Sequence, residues 1–63
     1  MKKNDTIKTP RFCTVRIEEV YPDKTSANEA GYTEPTYYRN DGYVVLGKSI
    51  DLHHMVFAAY KED

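Results

Sequence analysis

Between two runs of β-favouring residues, Thr36-Tyr37-Tyr38-Arg39 and Tyr43-Val44-Val45-Leu46, stands Asn40-Asp41-Gly42. Gly, Asn and Asp accept the positive φ that a tight reversal demands, and Thr, Tyr and Val suit a pleated, half-buried surface. The segment therefore predicts a β-hairpin, and no other local signal in the chain is as strong. A hairpin alone is marginal in water and must bury its apolar side against further elements.

Upstream, Phe12 to Tyr21 (FCTVRIEEVY) alternates, with Cys13, Val15, Ile17 and Tyr21 on one face and Thr14, Arg16 and Glu18 on the other. That period of two predicts a half-buried strand, flawed only at Glu19, with Cys13 as one of its small buried hydrophobes. Pro22-Asp23 ends the strand, because proline donates no ladder hydrogen bond and Asp favours turns. Ser26 to Glu29 has capping-box spacing and Gly31 stands where a left-handed cap belongs, so a short helix is expected over about 24–30. Asp51 to Tyr60 contains neither Gly nor Pro. It reads as a strand pairing back on Tyr43 to Leu46, with a helix capped at Ser49 or Asp51 as the alternative, because periodicity alone does not separate the two in a short apolar run. The expected fold class is α+β: a small antiparallel sheet in the order β-α-β-β-β with one short helix packed on it.

The chain has 63 residues, room for one modest core, so a single domain over 11–63 is expected. Residues 1–10 carry Lys2, Lys3 and Lys8 with almost nothing to bury and read as a flexible tail. Chains this small often lean on a disulfide, a metal or a partner. Cys13 is the only cysteine, which removes an internal disulfide, disfavours a cysteine-based zinc site and fits a reducing compartment. Self-association is then the expected source of added stability. The formal net charge of -1 creates no field drawing the chain to nucleic acid or an anionic membrane. The N-terminal stretch lacks the apolar segment of a signal peptide and no run is long enough to span a bilayer, so a cytoplasmic protein with no membrane contact is expected. The glycosylation pattern Asn4-Asp5-Thr6 then has no chemistry behind it.

Two motifs invite a chemical reading. Gly42 to Ser49 (GYVVLGKS) matches the phosphate-cradling pattern G-x-x-x-x-G-K-[ST]. In a nucleotide site that loop follows a buried strand and opens a long helix, whereas Tyr43-Val44-Val45-Leu46 want to be the strand itself, and the chain is too short for the parallel sheet that holds such a loop. A hairpin strand ending in a glycine bulge is the simpler expectation. His53-His54 suggests a metal, but neighbours on a strand point to opposite faces, so the pair needs Cys13, Asp51 or Glu18 brought in by folding. One histidine in solvent and one packed on the sheet edge is the simpler arrangement. No nucleophile, base and orienting group stand in recognisable relation, so neither an enzyme nor a cofactor is expected.

Six tyrosines, at 21, 32, 37, 38, 43 and 60, are the unusual feature. A tyrosine ring offers a large contact area at low entropic cost and often anchors protein contacts. Tyr37 and Tyr38 are adjacent on one strand, so one of them should face outward. The expected contact surface is the hairpin Thr36 to Leu46, with Tyr37, Tyr38, Arg39, Tyr43 and Lys48, engaging an unknown protein partner or a second copy. A tyrosine lining of a thin sheet's open face explains the same residues without an interface. The alternative function is weak binding of single-stranded nucleic acid, with bases stacked on tyrosine and phosphates met by Arg39, Lys48 and the N-terminal lysines. Asp23, Glu29, Glu34 and Asp41 in the same half oppose it.

The strings Glu19 to Pro22 (EVYP), Ala27 to Tyr32 (ANEAGY), Tyr43 to Ser49 (YVVLGKS) and His54 to Ala59 (HMVFAA) resemble small uncharacterised accessory proteins of conjugative transposons in Gram-positive bacteria, over about residues 19–60. The resemblance implies a bacterial cytoplasm, a mobile genetic element and an accessory role in transfer, maintenance or evasion of host defence. It brings no catalytic or binding residues with it.

Overall fold

A computed structural model describes residues 1–11 and 13–62, without the side chains of Tyr37 and Asn40. The elements are β1 (Thr6–Lys8), β2 (Thr14–Tyr21), α1 (Lys24–Glu29), β3 (Glu34–Asn40), β4 (Tyr43–Ser49) and β5 (Met55–Lys61). The strands form one sheet in the order β1-β2-β5-β4-β3, and the α+β class holds. The element order β-α-β-β-β does not hold, because a strand precedes the expected first one. Thr6–Lys8, inside the stretch read as a tail, pairs antiparallel with β2, setting Ile7 opposite Val15. Nor is the sheet wholly antiparallel. β2 and β5 run parallel, while β5-β4 and β4-β3 are antiparallel. The cause is α1: a helix between β2 and β3 returns the chain to its starting end, so β3 and, two reversals later, β5 run the same way as β2.

The predicted hairpin is β3-β4. Asn40 pairs with Tyr43, and the two turn residues, Asp41 at φ 52 and Gly42 at φ 79, have the positive φ values of a type I′ reversal. Residues 51–60 resolve in favour of the strand: β5 pairs with all of β4, from Tyr43 opposite Lys61 to Ser49 opposite Met55. Gly47 lies inside that unbroken register, so no bulge forms there. The irregularity sits in β3 instead. Pro35 faces Leu46 and Arg39 faces Val44, so residues 36–38 together oppose Val45 alone, and the Thr36 hydroxyl donates to the Val45 carbonyl at 3.1 Å within the bulge.

β2 has its own bulge between Ile17 and Glu19, at the flaw in the alternation. It reverses the facing of the residues after it. Val15 and Ile17 join Val45, Phe57 and Ala59 on the side away from the helix, whereas Tyr21 crosses to the helix side and packs on the cluster of Ala27, Tyr32, Val44, Leu46, Ala58 and Tyr60. Tyr21 therefore does not share a face with Val15 and Ile17, as strict alternation would have it. Cys13 precedes β2 and is exposed, correcting its expected burial.

Both sheet faces are buried, although only one carries a helix. The Arg11 guanidinium, between β1 and β2, donates to the Pro35 carbonyl of β3 at 3.1 Å, so the two edges of the sheet approach and the sheet curls over its inner face. Met1 and Ile7 pack against that inner cluster.

The helix is capped by Asp23, whose carboxylate accepts from the Ser26 amide at 2.7 Å; Ser26, expected as the cap, is inside the helix. Its other end forms the predicted left-handed stop. Gly31, at φ 99, donates to Asn28 O and Tyr32 N donates to Ala27 O, the paired bonds of a Schellman motif, and Tyr32 packs with Ala27 in the core as that motif favours.

Candidate interaction surface

Of the five residues expected to form one contact surface, the four whose side chains are described, Tyr38, Arg39, Tyr43 and Lys48, are not brought together as one. Arg39 lies on the helix side beside Val44, with its guanidinium 3.5 Å from Glu62. Tyr38 and Tyr43 are half-buried and pack against the inner cluster, and the Lys61 ammonium stands 5.2 Å from the Tyr43 ring. The Tyr37 side chain lies outside the described residues. Lys48 is a strut within the fold: its ammonium donates to the Ala30 carbonyl at 3.1 Å and lies 4.6 Å from the Tyr32 ring centroid. Sequence reasoning took exposed aromatic residues as the sign of a contact surface, but rings on a curled five-stranded sheet are largely spent on its two cores.

The exposed apolar surface lies in the β4-β5 connection, residues 50–54. Leu52 is 95% exposed and Ile50 63%, the large exposed hydrophobics of the described structure. The loop that carries them is shaped by its own hydrogen bonds. The Ile50 amide donates to His54 O at 2.9 Å, closing the loop at its base. The Asp51 carboxylate accepts from the His53 amide at 2.9 Å, an Asx turn that fixes the tip, and both its oxygens lie 3.1 Å from His54 Nδ1. These bonds, the His53 amide first, hold the Asp51 carboxyl below the ordinary carboxylate range, so it stays charged. Leu52 thus projects as a knob from a loop whose backbone these bonds hold, beside an acidic charge.

Beneath the knob is an open cleft of about 470 Å³ with Cys13, Thr14, Met55, Phe57 and both histidines in its walls. Cys13, Asp51, His53 and His54, weighed from the sequence as metal ligands, are therefore neighbours. Among the described residues, however, no group of three His, Cys, Asp or Glu is placed to hold a metal ion. His53 and His54 are both exposed, correcting the expectation that one packs on the sheet edge. The phosphate-loop pattern is strand β4 over Tyr43–Ser49, and the lysine that would meet a phosphate points to the helix end instead. Sequence pattern alone does not reveal the knob: Ile50 and Leu52 are large apolar residues, and their exposure follows from strand pairing that ends at Ser49 and Met55.

A second depression, about 370 Å³, lies across the helix side at the other end of β4. Val44, Leu46 and Tyr60 floor it, and Lys24 and Arg39 are on its walls with Asn28, Thr33 and Pro35. Of the cations invoked for nucleic acid, Lys3 is 3.7 Å from Glu19, Arg39 faces Glu62, and Lys48 is internal. Among the described residues no helix is long and apolar enough to cross a membrane. No family model, characterised protein or solved structure matches the chain.

Proposed function

We propose that the protein is a non-enzymatic protein-interaction module whose contact element is the β4-β5 loop, Ile50 to His54. The observation that carries this reading is the exposure of Leu52 and Ile50 on a loop whose backbone is held by its own hydrogen bonds. An exposed leucine on a loose loop is common on protein surfaces; one carried next to a second apolar side chain on a loop whose backbone is already held has the backbone part of its ordering cost met before a partner arrives. The expected contact surface on the hairpin gives way to this loop because Tyr38 and Tyr43 pack inward and Lys48 supports the helix. The accessory role on a mobile genetic element that the sequence resemblance implies is compatible with such a module and supplies its setting. A photo-reactive amino acid placed at position 52 tests the reading. In cells it should cross-link to a discrete protein, while the same group at the exposed residue Lys8 of β1, on the sheet edge opposite β3, should not; equal labelling from both positions would refute the loop as the contact element.

A further inference from the structure

Knob and groove are complementary in charge and in apolar character, and they belong to opposite ends of one strand. The tip offers Ile50-Asp51-Leu52, an acidic residue between two exposed aliphatic ones. The groove offers an apolar floor of Val44, Leu46 and Tyr60, with the cations Lys24 and Arg39 on its walls. Its volume of about 370 Å³ exceeds that of a leucine side chain several-fold, and a neighbouring hollow shares Pro35, Arg39 and Val44 with it, extending it along β3. Val44 and Ile50 are six residues apart on a strand that rises about 3.3 Å per residue, a separation of about 20 Å, so a chain cannot seat its own knob in its own groove.

We propose that the β4-β5 tip of one copy docks in the α1-β3 groove of a second copy, Leu52 over the apolar floor and Asp51 facing Lys24 and Arg39. Reciprocal seating about a two-fold axis closes such a contact as a dimer, whereas one contact per neighbour leaves a free knob and a free groove and continues to a ring or a filament. The pairing also supplies what a chain of 63 residues with a single cysteine lacks, apolar burial beyond its own core. Arg39 now pairs with Glu62 at an exposed 3.5 Å contact, which an incoming carboxylate replaces at little cost. The inference rests on the interaction reading of the β4-β5 loop and names the partner.

Sedimentation velocity over a concentration series, with three proteins, decides it. The mass of the wild type should rise with concentration. Leu52→Asp, altered at the knob, and the double variant Lys24→Glu/Arg39→Glu, altered at the groove, should each weaken association by at least about tenfold, the scale set by one leucine leaving a contact. All these positions are exposed, and circular dichroism of each variant checks that it folds. An equimolar mixture of the two variants retains one intact knob and one intact groove per pair and should form a one-to-one heterodimer and nothing larger. A wild type that stays monomeric at millimolar concentration overturns the proposal. So does a mixture that stays monomeric while the wild type assembles. If position 52 still cross-links to a different protein in cells while the purified wild type is monomeric, self-pairing fails and the interaction reading survives; if it cross-links to nothing, both fail.

Discussion

Lys48 and Tyr32 hold the sheet to the helix: the Lys48 ammonium lies 4.6 Å from the Tyr32 ring centroid while donating to the Ala30 carbonyl at the helix C-terminus. One side chain thus satisfies a terminal carbonyl, places positive charge at the negative end of α1 and covers the ring that closes the Schellman motif. Its aliphatic stem crosses Gly31, where a built Cβ would lie 2.7 Å from Lys48 Cδ. Lys48→Met keeps most of the stem and removes the charge and the donor, and it should cost about 1 to 2 kcal/mol in chemical denaturation. No loss of stability would mean that the ammonium contributes nothing to the helix end.

Gly47 marks a close approach of a different kind. Its φ is ordinary, but an added Cβ would stand 2.6 Å from Met55 Cε and 3.3 Å from the Phe57 ring. The methionine end can swing away; the buried ring has less room. Gly47→Ala should therefore destabilise by about 1 to 3 kcal/mol, an overpacking cost, and a Met55→Ala background should recover only part of it. Full recovery would make Met55, not Phe57, the obstacle.

Thr36 is fully buried, and its hydroxyl donates to the Val45 carbonyl at the bulge where β3 leaves the ladder. Thr36→Val preserves shape and leaves that carbonyl short of a donor. The expected loss is about 1 to 3 kcal/mol, with faster amide exchange along residues 36–38; an isoenergetic variant would mean that the bulge closes by other bonds.

Acid should loosen both the helix cap and the loop. The Asp23 carboxyl is held below its ordinary value of 3.8 by hydrogen bonds from Ser26, and that of Asp51 by those from the His53 amide and His54. A lowered folded-state value means that the folded chain binds the proton less readily than the unfolded one. The stabilisation is complete above the unfolded value and disappears as pH falls through the folded one. Asp23→Asn should accordingly melt below the wild type at neutral pH and together with it in strong acid. A difference that persists in acid would place the effect outside the carboxylate.

Local chemistry made much of this fold legible. Asn40-Asp41-Gly42 specified its turn, Gly31 its helix stop and Glu19 the irregularity in β2, because in each case the backbone geometry is dictated within a few residues. What escaped was non-local. β1 is three residues long, and only Ile7, set opposite Val15, signals a face to bury. The parallel β2-β5 pairing is set by which strands meet after the helix, not by either strand's pattern. The contact surface was misplaced for the same reason: tyrosine content suggests exposure only until the curl of the sheet shows how many rings it consumes, whereas Leu52 looks like core in the sequence and is exposed because the loop projects beyond the paired strands.

If Leu52 carries binding, an affinity capture with wild type and Leu52→Asp side by side, under nuclease, should show a discrete nuclease-resistant protein, or a second copy of the chain, retained by the wild type and lost with the variant. Identical eluates from the two, or retention that vanishes with nuclease in both, would contradict it.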